Sequence, residues 1–330
     1  MDTGKNKIVF SGIRPTGPSH LGHLAGVFQN WVRLQTEYSC YYSLVTWHAL
    51  SSEYQKPQVI KGYAFEVAAD LLSIGIDPEK CVLFVQSDVV EHAELFLNLA
   101  MVIPLPWLQR VPTFKEQQKE IKDRDLNTFG FLGYPVLQTA DIILYKASLV
   151  PVGEDQAYHL ELAREITRRF NRFFGEIFPE PQMLLTEVPK LAGTDGRKMS
   201  KSYGNAVFLK DPPEILRKKI TPMVTDIRRK RRADPGNPKD CPAFSLHKAF
   251  VNKEQRKELE HGCRTAGIGC LDCKNVVIES LISLLTPFWE KRKMFEEEPD
   301  RVWKILEDGK KRAQKVAMKT MEEVRSAIGI

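Results

Sequence analysis

The sequence predicts an α/β fold, a doubly wound parallel sheet with helices on both faces, followed by an α-helical C-terminal domain. Three observations carry that expectation. Apolar runs of strand length recur through the first 190 residues and alternate with longer runs of helical period. Beyond residue 205 the strand-like runs cease and helical patterns follow one another. The 330 residues are 43% hydrophobic and 27% charged, which supplies a large core and argues against a disordered chain.

The elements follow in order. KIVFSGI (7–13) reads as a short buried strand, leading through a Pro/Gly turn into a helix that starts near Ser19. CYYSLVTW (40–47) and CVLFVQS (81–87) are the next strands, separated by helical stretches such as QVIKGYAFEVAADLLSIG (58–75). ASLVPVG (147–153) is the fourth strand and QMLLTEV (182–188) the fifth. Between them DQAYHLELAREITRRFNRFF (155–174) is a helix with Leu160, Ala163 and Ile166 on one face. Ligands of such sheets bind at the carboxyl ends of the strands, so Gly12, Trp47 and Gly153 mark where to look first.

GTDGRKMSKSYGN (193–205) is a Gly/Ser/Lys-rich loop, and helical patterns such as DPPEILRKKI (211–220) and NVVIESLISLLTPFWEKRK (275–293) come after it. In the last segment Val302, Ile305, Leu306, Ala313, Val316, Ala317 and Val324 recur at helical spacing, a long amphipathic helix expected to pack back on the first domain. The domain limits are thus 1–190, a loop region at 191–210, a helical domain at 211–295 and a terminal helix at 296–330.

The net charge of +6 hides an asymmetry. Residues 1–210 carry 22 basic and 23 acidic side chains, and residues 211–330 carry 26 and 19. The excess therefore sits in the last third, which suits a polyanionic partner or a solvated helical surface equally. No apolar run approaches the roughly 20 residues that span a bilayer, and MDTGKNKIVF holds no signal-peptide core. The expectation is no membrane and a cytoplasmic location.

Two motifs carry chemistry. In RPTGPSHLGHL (14–24) a strand, a turn and a helix capped by Ser19 would aim free backbone N–H groups and the imidazoles of His20 and His23 at one point, which suits a phosphate. Gly22 would leave room for a flat ring to approach the backbone. In KMSKS (198–202), Lys198 and Lys201 on a mobile loop can close over a polyphosphate and neutralise charge that develops during in-line displacement.

Together, in this order, HLGH and KMSKS resemble the two signatures of class I aminoacyl-tRNA synthetases. The segments FSGIRPTG (10–17), WHAL (47–50), PTFKE (112–116), GYPVLQTADIILY (133–145) and VPVGEDQAYHLELARE (150–165) resemble those of the tryptophanyl-tRNA synthetases, and TPMVTD and DPGNP extend the likeness. The resemblance implies a Rossmann-like catalytic domain, an anticodon-binding helical domain and a homodimer. It implies tryptophan, ATP with Mg²⁺, and tRNA(Trp) as substrates, with a tryptophanyl-adenylate intermediate and release of AMP and pyrophosphate. It places Gly12, Ile13, Arg14, Thr16, His20, Gly22, His23, Gly153, Glu154, Asp155, Gln156 and Val188 on the nucleotide, with Met199 and Ser200 of the closing loop. Lys115, Lys198 and Lys201 would reach the phosphates. Asp141 would accept the indole N–H, with Phe10, His48 and Gln138 completing the amino-acid pocket. One departure is Thr46, where the family often has an acid two positions before the histidine of the WHA-type motif; the role of that acid is in doubt here. The competing readings are a tyrosine-specific synthetase and a non-catalytic, cluster-bearing tRNA-binding paralogue. Intact HLGH, Lys115 and KMSKS argue against the second.

Cys241, Cys263, Cys270 and Cys273 form a C-x21-C-x6-C-x2-C pattern that suggests a metal site, either a [4Fe–4S] cluster or Zn²⁺. Some bacterial members of the resembled family carry a [4Fe–4S] motif of very similar spacing. In the same module IRRKRR (227–232) places five basic residues in succession, and in that family phosphate contact with tRNA is expected of them.

Overall fold

A computed structural model describes residues 7–111, 127–153, 157–185 and 190–330. Five strands form one parallel sheet: β1 Ile8–Ile13, β2 Ser39–Leu44, β3 Cys81–Val85, β4 Leu149–Val152 and β5 Gln182–Leu185, in the order β3-β2-β1-β4-β5. Cys81, Cys40, Val9, Leu149 and Gln182 lie in one row across it. The chain winds from β1 out to β3, then restarts on the other side of β1 with β4. Winding therefore reverses between β1 and β4, where a crevice opens at the carboxyl edge.

All five expected strands form, with ends shifted by up to three residues where the described residues show them. Trp47 is not at a strand end: β2 stops at Leu44 and Thr46–Glu53 is helical. The reason is local. The Gln86 side-chain oxygen accepts the Trp47 N–H at 2.9 Å and the Thr46 hydroxyl accepts the Ser87 N–H at 3.2 Å, so these groups never enter the ladder. Ser19 does not cap the first helix either; His20 does, as described below.

Successive strand residues face opposite sides, and each face has its own core. Val9, Leu21, Phe28, Val67, Leu71 and Leu83 lie on one side, in a cluster that continues into Val277, Ile278, Leu281, Leu285, Phe288 and Leu306. That core crosses the expected limit near residue 211, so the C-terminal helices complete it. On the other side Phe10, Phe84, Leu95, Ile143, Ile166 and Phe170 pack with Ala313, Ala317, Met321 and Val324. The Pro299–Ile328 helix thus contributes to both cores by running past β3, and it covers an otherwise open sheet edge. Among the described residues no helix is long and apolar enough to cross a membrane.

Gly309 sits where this helix crosses β3, and a Cβ there would lie 1.8 Å from the Leu83 carbonyl oxygen. Backbone cannot yield as a side chain would, so Gly309→Ala is expected to cost about 3 kcal/mol, read as a lower urea midpoint at unchanged slope. Gly62→Ala, inside the Val59–Ile74 helix with nothing within 4 Å of a new Cβ, should be neutral or raise the midpoint.

Candidate active site

The crevice between β1 and β4 is a cavity of about 570 Å³. Gly12, Ile13, Arg14, Thr16, His23 and Gly153 line one part of it, and Phe10, His48, Gln138 and Asp141 another. Residues assigned to a nucleotide and residues assigned to an amino acid therefore share one space.

On the nucleotide side, β1 ends in the turn that carries HLGH. His20 is the N-cap of the short Leu21–His23 helix: its Nδ1 accepts the Gly22 N–H at 3.0 Å, and the His23 Nδ1 accepts the His20 N–H at 3.1 Å. The free amides expected at this helix start are thus closed by the two histidines themselves. Gly22 is needed for this, because a Cβ would meet the His20 ring at 2.8 Å. The flat ring that approaches its backbone here is His20. With both Nδ1 atoms accepting, each ring presents Nε2–H. The two rings stack at 3.8 Å between centroids. Burial, then the charge of Lys201, lowers the His20 pKa to about 4. Burial, then His20 and Lys201, holds His23 well below the usual histidine value. Both rings are neutral donors at pH 7.

The segment after KMSKS closes on this turn. His20 and Phe208 form an antiparallel bridge, and Leu21 N–H donates to the Val207 carbonyl at 3.0 Å. Lys201 donates to the Gly17 carbonyl at 3.2 Å, which brings it beside the histidines. Burial, then Arg14, lowers its pKa to about 8. Within the loop the Ser200 N–H is held by the Asn205 side chain at 2.8 Å. Met199 is buried in the core and Lys198 is exposed.

On the amino-acid side, Asp141 is 1% exposed and accepts from three side chains. Gln86 donates at 2.7 and 2.8 Å to its two oxygens, His92 Nδ1 lies 2.7 Å from Oδ1, and His48 Nε2 lies 3.0 Å from Oδ2. Behind them the Tyr145 hydroxyl meets His92 Nε2 at 2.7 Å. Burial alone would raise the Asp141 pKa, but His92 and His48 outweigh it and hold the carboxylate at about 2. His48 is oriented by Asp141 directly, with Thr46 engaged elsewhere. Gln86, His92 and Tyr145 have no signal in the sequence beyond polar atoms in apolar surroundings. Lys115, Glu154, Asp155, Gln156 and Val188 lie outside the described residues.

The four C-terminal cysteines converge. Cys241 precedes the Phe244–Phe250 helix, Cys263 ends the Lys253–Arg264 helix, and Cys270 and Cys273 open the Cys270–Glu297 helix. Burial, reinforced by the other three thiols, pushes Cys273 up to about 12. Yet among the described residues no three His, Cys, Asp or Glu side chains stand close enough to hold a metal ion. The basic run beside them is partly spent. Arg228 pairs with Asp226 and Asp240, and Arg229 donates to the Arg232 and Ile268 carbonyls. Lys230, Arg231 and Arg232 face solvent, with Arg232 3.7 Å from Asp272.

A family model described as class I tRNA synthetases (W and Y) matches residues 2–286. A tryptophan–tRNA ligase of Thermotoga maritima is 50% identical over 98% of this chain and 99% of its own length. One of Ralstonia nicotianae is 41% identical over 98% of each. The chain belongs to the tryptophan–tRNA ligases. The crystal structure of the Campylobacter jejuni tryptophanyl-tRNA synthetase, complexed with ADP and tryptophan, matches with a TM-score of 0.86. It is 33% identical to this ligase and covers 98% of this chain and 100% of that one.

A phosphate-binding Lys201 with this depressed value predicts a pH limit for the ligase. Below about pH 8 the ammonium is charged and available to phosphates; as pH rises through that value the charge is lost. The kcat/KM for ATP, which reports the free enzyme, should fall on the alkaline side of about 8, toward tenfold per pH unit. Lys201→Arg should flatten that limb. Steady-state pyrophosphate exchange from pH 6 to 9.5 checks both.

Proposed function

We infer that this chain attaches L-tryptophan to tRNA(Trp) at the expense of ATP, through a tryptophanyl-adenylate. The observation that carries this reading is the buried, ionised Asp141 lining the same cavity as the turn of the HLGH motif. An indole N–H is a donor that the carboxylate can accept in exchange for one of its present contacts, and phenylalanine has none. Such a bond is worth about 1.5–3 kcal/mol, one to two decades of selection.

The tryptophan carboxylate attacks the α-phosphorus of ATP, the bond to the bridging oxygen breaks, and pyrophosphate leaves. The terminal ribose hydroxyl of the tRNA then attacks the adenylate carbonyl, and AMP leaves with the electrons of the broken C–O bond. No protein nucleophile is required; alignment and charge stabilisation do the work. Gly12, Ile13, Arg14, Thr16 and Gly153 seat the nucleotide, and His20 and His23 offer Nε2–H groups to it. Lys201 and Lys198 neutralise the phosphates, joined on family grounds by Lys115. Phe10, His48 and Gln138 frame the indole. Mg²⁺ when bound supplies further neutralisation.

In the C-terminal domain the exposed Lys230, Arg231 and Arg232 are the phosphate contacts for tRNA. The cysteine tetrad holds a [4Fe–4S] cluster in this reading. Cys241, Cys263, Cys270 and Cys273 would hold it through their thiolates. N–H groups of Phe244 and Asp226 aimed at Cys241, and Arg229 beside Cys263, suit its negative charge. A second copy of the chain covers the exposed Leu97, Met101, Leu105 and Phe129, which Phe96 links through its ring contact to Phe129. Six free cysteines agree with a cytoplasmic setting.

Asp141→Asn keeps the shape and removes the charge. Its kcat/KM for tryptophan in pyrophosphate exchange should fall about 10- to 100-fold, with loss of discrimination against phenylalanine. Wild-type exchange with tyrosine alone would overturn the assignment. Protein prepared without oxygen should be brown, with iron and sulfide in equal amounts, and Cys273→Ser should bleach it. Colourless protein without iron would remove the cluster.

A further inference from the structure

The pyrophosphate and adenylate chemistry leaves unexplained a buried ion pair on the far side of the HLGH turn. Arg292, on the Cys270–Glu297 helix, is 3% exposed and grips Asp70 of the Val59–Ile74 helix, which is 2% exposed. It also donates to Glu66 Oε2 at 2.6 Å and Glu296 Oε1 at 2.9 Å. The second oxygen of Asp70 accepts the Ser19 N–H at 3.3 Å, and Ser19 immediately precedes the HLGH motif.

The same helix holds the turn from the other side. Trp289 Nε1 donates to the Leu209 carbonyl at 2.8 Å, and the Leu209 N–H donates to the Ser19 carbonyl at 2.9 Å. Trp289 and Arg292 are three residues apart, hence on one helical face. Ser19 is therefore fixed through both its N–H and its C=O by one face of one C-terminal helix. The next residue caps the helix that carries His23, and Leu209 belongs to the segment that follows KMSKS.

Stability does not account for the pair. Burial lifts Asp70 to about 6 even with Arg292 beside it. An acid whose pKa is raised on folding costs stability at neutral pH, and apolar residues of equal volume often replace a buried ion pair without loss. What such a pair supplies is geometry, and here the geometry is that of the HLGH turn.

We propose that Asp70 is a positioning residue for ATP, held by Arg292 so that the HLGH turn and the segment after KMSKS are set by the Cys270–Glu297 helix. This rests on the tryptophan–tRNA ligase reading. The tryptophan side of the cavity does not depend on the turn, since Asp141 is held by Gln86, His92 and His48. ATP and tryptophan should thus respond differently to the same substitution.

Pyrophosphate exchange on Asp70→Ala, Asp70→Asn and Trp289→Phe, with tryptophan binding followed separately by fluorescence titration, makes the test. Asp70→Ala should lower kcat/KM for ATP at least tenfold while the tryptophan Kd stays within about twofold. Asp70→Asn, whose amide oxygen can still accept the Ser19 N–H, should recover part of that loss. Trp289→Phe keeps an aromatic side chain, removes the N–H together with the pyrrole half of the indole, and should raise the ATP KM about threefold. Unchanged ATP parameters in Asp70→Ala and Trp289→Phe would overturn the proposal. So would equal losses for ATP and tryptophan, which would mark a structural role. Wild type that exchanges no pyrophosphate with tryptophan would fail the underlying reading instead.

Discussion

The reversal of winding at β1 is the constraint on which the rest of this molecule depends. Strands on either side of β1 are reached by connections that leave the sheet in opposite directions, so among the described residues a cavity opens at the carboxyl edge between β1 and β4. The polar backbone at the strand ends is left to face a cavity. The residues that line the cavity are arranged around that edge: Gly12 and Ile13 end β1, Gly153 follows β4, and the helix that bears Asp141 leads into β4.

A second consequence concerns charge. Asp141 lies beneath the cavity, where an unpaired carboxylate would be expensive. Its ionisation is tolerable because β3 ends one residue before Gln86 and the next helix brings His92. Two elements that look purely structural thereby sustain the charge of Asp141. The sheet edge beyond β3 is closed by the Pro299–Ile328 helix over Gly309, so the C-terminal region supports β3 as well.

What could be read in the sequence follows from range. Strand-length runs dominated by apolar residues mark all five strands, the half-exposed β5 included, and Gly/Ser/Lys loops with paired histidines and lysines mark HLGH and KMSKS. Strand ends were less visible because a side chain decides them, as Gln86 does for Trp47 across 39 residues. The partners of Asp141 lie 49 to 93 residues from it and share no pattern. The capping of the first helix was misjudged by one residue, since serine is the commoner cap and only the fold shows that His20 curls back on Gly22. The run of five basic residues shows composition without geometry: Arg228 and Arg229 are consumed holding their own loop. A limit drawn near residue 211 from the change in pattern could not reveal a core shared across it.

In the proposed reaction, the division of labour at the nucleotide follows from electrostatics. Two imidazolium rings stacked at 3.8 Å and buried beside Lys201 would repel one another and it, and the site avoids this by keeping both rings neutral. Neutral Nε2–H groups in fixed tautomers cost no desolvation of charge when a nucleotide arrives, and they do not need to move. The cations that compensate a leaving pyrophosphate are instead carried by lysines on long stems in the KMSKS loop, which can follow charge as it shifts from the α- to the β-phosphate. Rigid neutral donors therefore belong to the helix, and mobile charge belongs to the loop. Exchanging these roles would put a repulsive pair where the binding site has to be preorganised and a fixed neutral group where charge has to be followed.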